Sequence, residues 1–204
     1  EFTNTTYASF GDLGSKVLPK YPTGIVWTAG SEVETMQSIR ANHGGGYQYR
    51  LCPLHSELTE ACFQETPMPF ADDSSIMMSN GTMLKLASTF VSEGTLPVGG
   101  TWQMLGIPDT DHVRPNGFPT ESWAFPPPCY EPRYPDKPLS GLSEGRCSGQ
   151  WMNNITIYDQ LRVPEHLPPG EYVLGLRWDC ETSAQIWQSC ADVTIVAPAA
   201  VVEA

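Results

Sequence analysis

The chain has 204 residues, enough for one domain with a sizeable buried core. Its 11 Lys and Arg against 23 Asp and Glu leave a net charge of −12, which repels nucleic-acid phosphates and anionic lipid and argues against both as partners. The apolar runs are too short to span a bilayer, and 18 Gly and 19 Pro beside only 17% charged residues suit a loop-rich β protein better than a helical bundle or an acidic tail.

In chain order, residues 1–22 read as an N-terminal extension, 23–198 as a β-sandwich domain and 199–204 as a tail. Residues 24–27, 32–39 and 47–52 read as short strands separated by turn residues. Val33, Met36 and Ile39 also fit a helical spacing, so 32–39 stays open between strand and helix. Arg50 falls opposite Tyr47, Tyr49 and Leu51 on the third of these strands and calls for a carboxylate partner in a structural salt bridge. Residues 82–91 fit a helix through Met83, Leu86, Ala87 and Phe90, with Gly94 to end it, and a strand equally well. Nine prolines between 107 and 140 cannot donate to a ladder, so 107–150 reads as a long loop inserted in the domain. Tyr130 and Tyr134 in that loop are expected to be exposed and to offer faces on which sugar rings stack.

The clearest elements close the chain. Residues 151–163 supply a strand through Ile155, Ile157 and Leu161. Pro168-Pro169-Gly170 is a turn signal. After it, 171–179 alternates, with Tyr172, Leu174, Leu176 and Trp178 on one face as core residues. Residues 186–196 then return to make a hairpin. Many short strands and frequent turns predict an all-β antiparallel β-sandwich.

Six cysteines, at 52, 62, 129, 147, 180 and 190, form an even set with no Cys-x-x-Cys pair, which favours disulfides over zinc or redox chemistry. Of the 15 connectivities the local one is favoured: Cys52 with Cys62, Cys129 with Cys147, and Cys180 with Cys190. Asn4, Asn80 and Asn154 each begin a glycosylation sequon. With the cysteines and only four lysines, they point to a secreted or cell-surface protein. No leader stands at the start, as expected if it has been removed.

Asn42-His43-Gly44-Gly45-Gly46-Tyr47 sets an imidazole beside three glycines at the mouth of a strand. It reads as a metal ligand with room around it, or as a glycine turn with a hydrogen-bonded His. His55, His112 and His166 have no zinc-site spacing relative to it, and His112 and His166 read as solvated loop residues. Serine-hydrolase, P-loop and dinucleotide motifs are absent.

The run Leu167-Pro-Pro-Gly-Glu-Tyr-Val-Leu-Gly-Leu-Arg-Trp178, followed by Ala184-Gln-Ile-Trp-Gln-Ser-Cys-Ala-Asp-Val193, resembles the closing hairpin of fungal lytic polysaccharide monooxygenases. Gly11-Asp-Leu-Gly-Ser-Lys16 and Ala41-Asn-His-Gly-Gly-Gly-Tyr-Gln-Tyr-Arg-Leu-Cys-Pro53 resemble a related group of secreted proteins from algae and other microbial eukaryotes. The resemblance implies an immunoglobulin-like sandwich, a copper cofactor and oxidative cleavage of cellulose, chitin or a similar cell-wall polysaccharide. By motif, His43 takes the place of the internal copper ligand, Gln185 that of the hydrogen-bonding glutamine and Trp187 that of the axial aromatic. The family's other ligand is an N-terminal His, but residue 1 here is Glu and no His precedes position 43. Two expectations follow: an oxidative enzyme only if an upstream His completes the site, or a non-catalytic structural or glycan-binding module of a cell wall, extracellular matrix or surface filament, with neighbouring extracellular proteins as partners.

Overall fold

The computed structural model describes residues 6–9, 11–19, 23–38, 44–78, 83–85, 88–105, 130–131, 134–138, 155–181 and 184–199; of 130–138, only the backbone. In chain order the elements are α1 (Gly14–Val17), β1 (Val26–Thr28), β2 (Glu32–Gln37), β3 (Gly46–Pro53), α2 (Glu60–Glu65), β4 (Ser75–Met78), β5 (Met83–Lys85), β6 (Phe90–Val91), β7 (Trp102–Met104), β8 (Tyr130–Glu131), β9 (Tyr134–Pro138), β10 (Ile155–Arg162), β11 (Gly170–Asp179) and β12 (Ile186–Val196). The fold is an all-β sandwich. One sheet has the order β1-β12-β11-β3-β7-β6 and the other β2-β10-β4-β5, while β8 and β9 make a separate two-stranded ribbon.

Alternation builds the core. Tyr47, Tyr49 and Leu51 of β3 with Tyr172, Leu174 and Trp178 of β11 form the inner face of the larger sheet, and Val33, Ile76, Ile157 and Leu161 form that of the smaller one. Each such large apolar side chain contributes about 1.5–3 kcal/mol on burial. Edge-to-face contacts of Tyr47, Tyr49 and Phe70, with centroids 5.8–6.1 Å apart, tie the rings together.

The outer face of the larger sheet is held by α2. Thr59 caps this helix by accepting the Cys62 N–H, and the predicted Cys52–Cys62 disulfide fastens it to β3. Phe63 lies over Gly175, where an added Cβ would meet its ring at 2.9 Å. The predicted ion pair is present: Arg50, 2% exposed, donates to Glu60 Oε1 at 2.5 Å, and Arg177 reaches the same oxygen at 2.8 Å.

Two readings left open resolve as strand, and two expectations need correction. Residues 83–85 are strand, Lys85, Leu84 and Met83 pairing with Ser75, Ile76 and Met77 of β4, and 90–91 are strand, paired with Gln103 and Trp102 of β7. Residues 32–37 are strand, paired with β10 along their whole length. The loop predicted over 107–150 contains the β8–β9 ribbon. The sandwich is also not wholly antiparallel, since β1 runs parallel to β12.

The pairing of Cys180 with Cys190 is overturned. Cys190 is a free thiol and sits level with Gly175, whereas Cys180 donates its N–H to the Gln185 carbonyl at the turn. Five strand residues, about 17 Å, separate the two levels, far beyond the span of a disulfide. Cys129, Cys147 and the sequons at Asn4, Asn80 and Asn154 lie outside the described residues.

Candidate functional site

Among the described residues the two sheets do not close along one side. β1 pairs only with Thr194, Ile195 and Val196 of β12, which leaves the edge of β12 from Ile186 to Ala191 without a neighbouring strand among the described residues. Across the gap, β2 is the edge of the smaller sheet. Between them lies a groove of about 740 Å³. A sandwich whose edge strand stops short exposes inner-face side chains that its neighbours bury, and that has happened here. Trp178 and Trp187 are directly paired across β11 and β12 and project from the same face, yet Trp178 is 6% exposed and Trp187 52%.

The wall of the groove is aromatic and aliphatic, with Trp187, Trp178, Tyr49, Leu174 and Leu176 on the larger sheet. Ser189 and Ala191 fall opposite Leu176 and Leu174 and add little bulk there. Thr35, Gln37, Ser38 and Gln188 give the rim hydrogen-bonding groups. Glu34 is the only charged residue among the described residues that line it, and its carboxylate meets the Tyr158 hydroxyl. Met36, 54% exposed, extends the apolar surface on the lip of the smaller sheet.

Behind the groove stands a buried polar cluster. Asp159, 1% exposed, accepts from the Tyr47 and Tyr49 hydroxyls at 3.0 Å each and from Ser74 Oγ, to which Gln103 Nε2 also donates. Burial pushes the Asp159 carboxyl above its ordinary range and outweighs the three hydroxyl donors that favour its charged form. The same burial, with Asp159 adding, raises both phenols. Tyr47, Tyr49, Ser74, Gln103 and Asp159 are all buried, and the cluster braces the two sheets.

Those residues singled out by sequence that are described fall at two ends of the β11–β12 hairpin. Gln185 and Trp187 lie at the β11–β12 turn and on the first half of β12, both exposed. His43 is outside the described residues, but its neighbour Gly44 accepts the Trp178 indole N–H at 2.8 Å, and a Cβ on Gly44 would lie 3.1 Å from Glu181 Oε2. His55 stands near Glu171, at the far end of β11, and His166 is exposed in the turn before that strand. Among the described residues no group of three or more His, Cys, Asp or Glu is placed to hold a metal. The expected copper therefore has no described ligand. The side chains of Tyr130 and Tyr134 and the whole of His112 lie outside the described residues.

Sequence reasoning missed the groove, α2 and the Asp159 cluster. Thr59 followed by Glu60 was a legible helix start. The run Tyr47-Gln-Tyr-Arg-Leu-Cys52, every residue of it buried, signalled a strand covered on both faces. Nothing local announces where β1 stops.

No protein-family profile matches the chain. Among solved structures it is similar to a family 123 glycoside hydrolase from Clostridium perfringens that hydrolyses glycolipid glycans, at 10% identity and a TM-score of 0.27. That match covers 85% of this chain and 22% of that one, so this chain spans only about a fifth of its length. AvmM, which catalyses macrocyclization in alchivemycin A biosynthesis, is 10% identical with a TM-score of 0.33 over 86% of each chain. AggA, the major subunit of aggregative adherence fimbriae type I from Escherichia coli, is 9% identical with a TM-score of 0.22, over 85% of this chain and 90% of that one. At these TM-scores the likenesses carry no argument about fold or function. No helix among the described residues is long and apolar enough to cross a membrane.

Proposed function

We propose that this chain is a non-catalytic binding module of an extracellular assembly (a cell wall, matrix or surface filament) and that the open groove is its working surface. One observation carries the reading: Trp187 is half exposed on the inner face of a sheet whose neighbouring strand stops three residues in. Exposed aromatic walls beside hydrogen-bonding rims mark binding clefts, whereas a hydrolase needs titratable groups converging on one point. The Cys52–Cys62 disulfide suits an oxidising compartment, and N-glycans on Asn4, Asn80 and Asn154 belong to the same reading. Titrating the protein with soluble oligosaccharides and peptides while following tryptophan emission tests it. Saturable quenching or enhancement that Trp187→Ala removes is expected; no response to either class removes the reading.

A second reading, oxidative attack on polysaccharide, draws on the position of Gly44. It lies beside Glu181 at the turn that carries Gln185. There His43, completed by a His upstream of Glu1, would hold copper, Gln185 and Trp187 would flank it, and Tyr130 and Tyr134 would meet the glycan. Copper so held supplies one-electron activation of oxygen. Tight copper binding that is lost in His43→Ala, with oxidised oligosaccharide released in the presence of reductant, would replace the non-catalytic reading with this one.

A further inference from the structure

Resting on the binding-module reading, we infer that the groove takes an extended polypeptide strand, which pairs with the free edge of β12 and turns every second side chain onto Trp187 and Leu176. Backbone hydrogen-bonding groups alternate in direction along a strand. On β12 the Asp192 carbonyl accepts from Thr23 Oγ1 at 2.6 Å, the Thr194 N–H donates to the Ile25 carbonyl at 2.9 Å, and the Val196 carbonyl accepts the Ala29 N–H at 2.9 Å. The even-numbered residues thus face away from β11. Gln188 and Cys190 continue the series and present an amide and a carbonyl each, with no described residue paired to them on that side.

This spacing selects the partner. Donor and acceptor recur every second residue, about 7 Å apart, which a polypeptide in the β conformation matches by its own repeat and a glycan does not. Alternation then carries the same strand's inward side chains into the groove, against Trp187 and Leu176, where Ser189 and Ala191 leave space. Charge refines the choice. Glu34 is the only charge on the described lining, with no cation beside it, and the chain carries −12 overall. The favoured strand therefore bears apolar residues at alternate positions and Lys or Arg between or beside them. Main-chain pairing gives such a complex its affinity and the groove its selectivity.

The experiment uses the whole chain and a ten-residue peptide of alternating Val and Thr flanked by lysines, with two controls: the same peptide N-methylated on the residues that face β12, and a chito- or cello-hexaose. The expected result is saturable binding of the plain peptide with slowed deuterium exchange at Gln188 and Cys190. N-methylation, and separately Gln188→Pro, should weaken binding about tenfold or more by removing ladder bonds. Gln188→Pro takes away an outward N–H and the rim amide but no bond to β11, and should leave the thermal midpoint near that of the parent. Equal binding of plain and N-methylated peptides overturns the inference, as does exchange already slow at Gln188 and Cys190 in the peptide-free protein. Binding of the hexaose alone overturns it while leaving the binding-module reading in place, and silence from every ligand removes both.

Discussion

Asp159 of β10 joins the two sheets by accepting from Tyr47 and Tyr49 of β3. Its carboxyl has no cation beside it among the described residues; it is held by two phenols and a hydroxyl from β3 and the segment before β4. A carboxyl whose folded pKa lies above its unfolded value stabilises the fold fully below the unfolded pKa and loses that contribution as pH rises through the folded one. The Asp159 shift is upward, so its contribution falls with rising pH. Asp159→Asn keeps the volume and removes the titration. The stability gap between parent and variant, read from urea midpoints, should narrow between about pH 3 and pH 7. A gap that widens over that range would mean that the three donors, and not burial, set the carboxyl's ionisation.

At the scale of elements, α2 is a short helix that six residues of sequence would not sustain alone. Three things fix it to the larger sheet: the disulfide, the Phe63 ring over Gly175, and Glu60 between Arg50 and Arg177. Burial alone would raise the Glu60 carboxyl; hydrogen bonds from Arg50 and Gln64, with the charges of Arg50 and Arg177, outweigh it and hold it below its ordinary range. Glu60→Gln leaves the buried Arg50 guanidinium without a counter-ion. We expect a loss of about 1–3 kcal/mol by chemical denaturation, less than for a fully buried pair because Glu60 is partly open to water. The sign with pH is opposite to that of Asp159: a depressed carboxyl contributes above its unfolded pKa and loses that contribution as pH falls through the folded one. This ion pair was legible from sequence because Arg50 had to lie on the face away from Tyr47 and Tyr49. Its partner was not, because Glu60 comes from a helix packed on that face, and periodicity within β3 says nothing about what covers it.

Over the whole molecule, holding the fold and presenting a surface are divided between residues that face each other. Trp178 closes the core, while Trp187 lines the open side. Trp178→Ala should therefore cost about 3–5 kcal/mol. Ser189→Lys, at an exposed position on the groove wall, should change stability by no more than about 0.5 kcal/mol, yet place a cation in the groove and repel a basic strand. Thermal or urea unfolding of the two variants separates these roles, and a large loss in Ser189→Lys would show that the groove wall is part of the core. An unguarded strand edge is also a liability, because it offers pairing to any extended chain. β12 has no Lys or Pro along Ile186–Val196 to blunt it.

The sequence by itself determined the strands that alternate, β3, β10, β11 and β12, and with them the sandwich, because a side-chain period of two leaves one face to bury. It favoured the Cys52–Cys62 bridge, whose partners lie ten residues apart, but the same spacing favoured Cys180 with Cys190, which do not pair. Only the tertiary structure decided that Cys190 stands level with Gly175 and away from Cys180, since register is a property of two strands together. It alone decided that β1 covers three residues of β12 and no more. Where a neighbour ends is written in neither strand, and that shortfall is what opens the groove and leaves Trp187 in water.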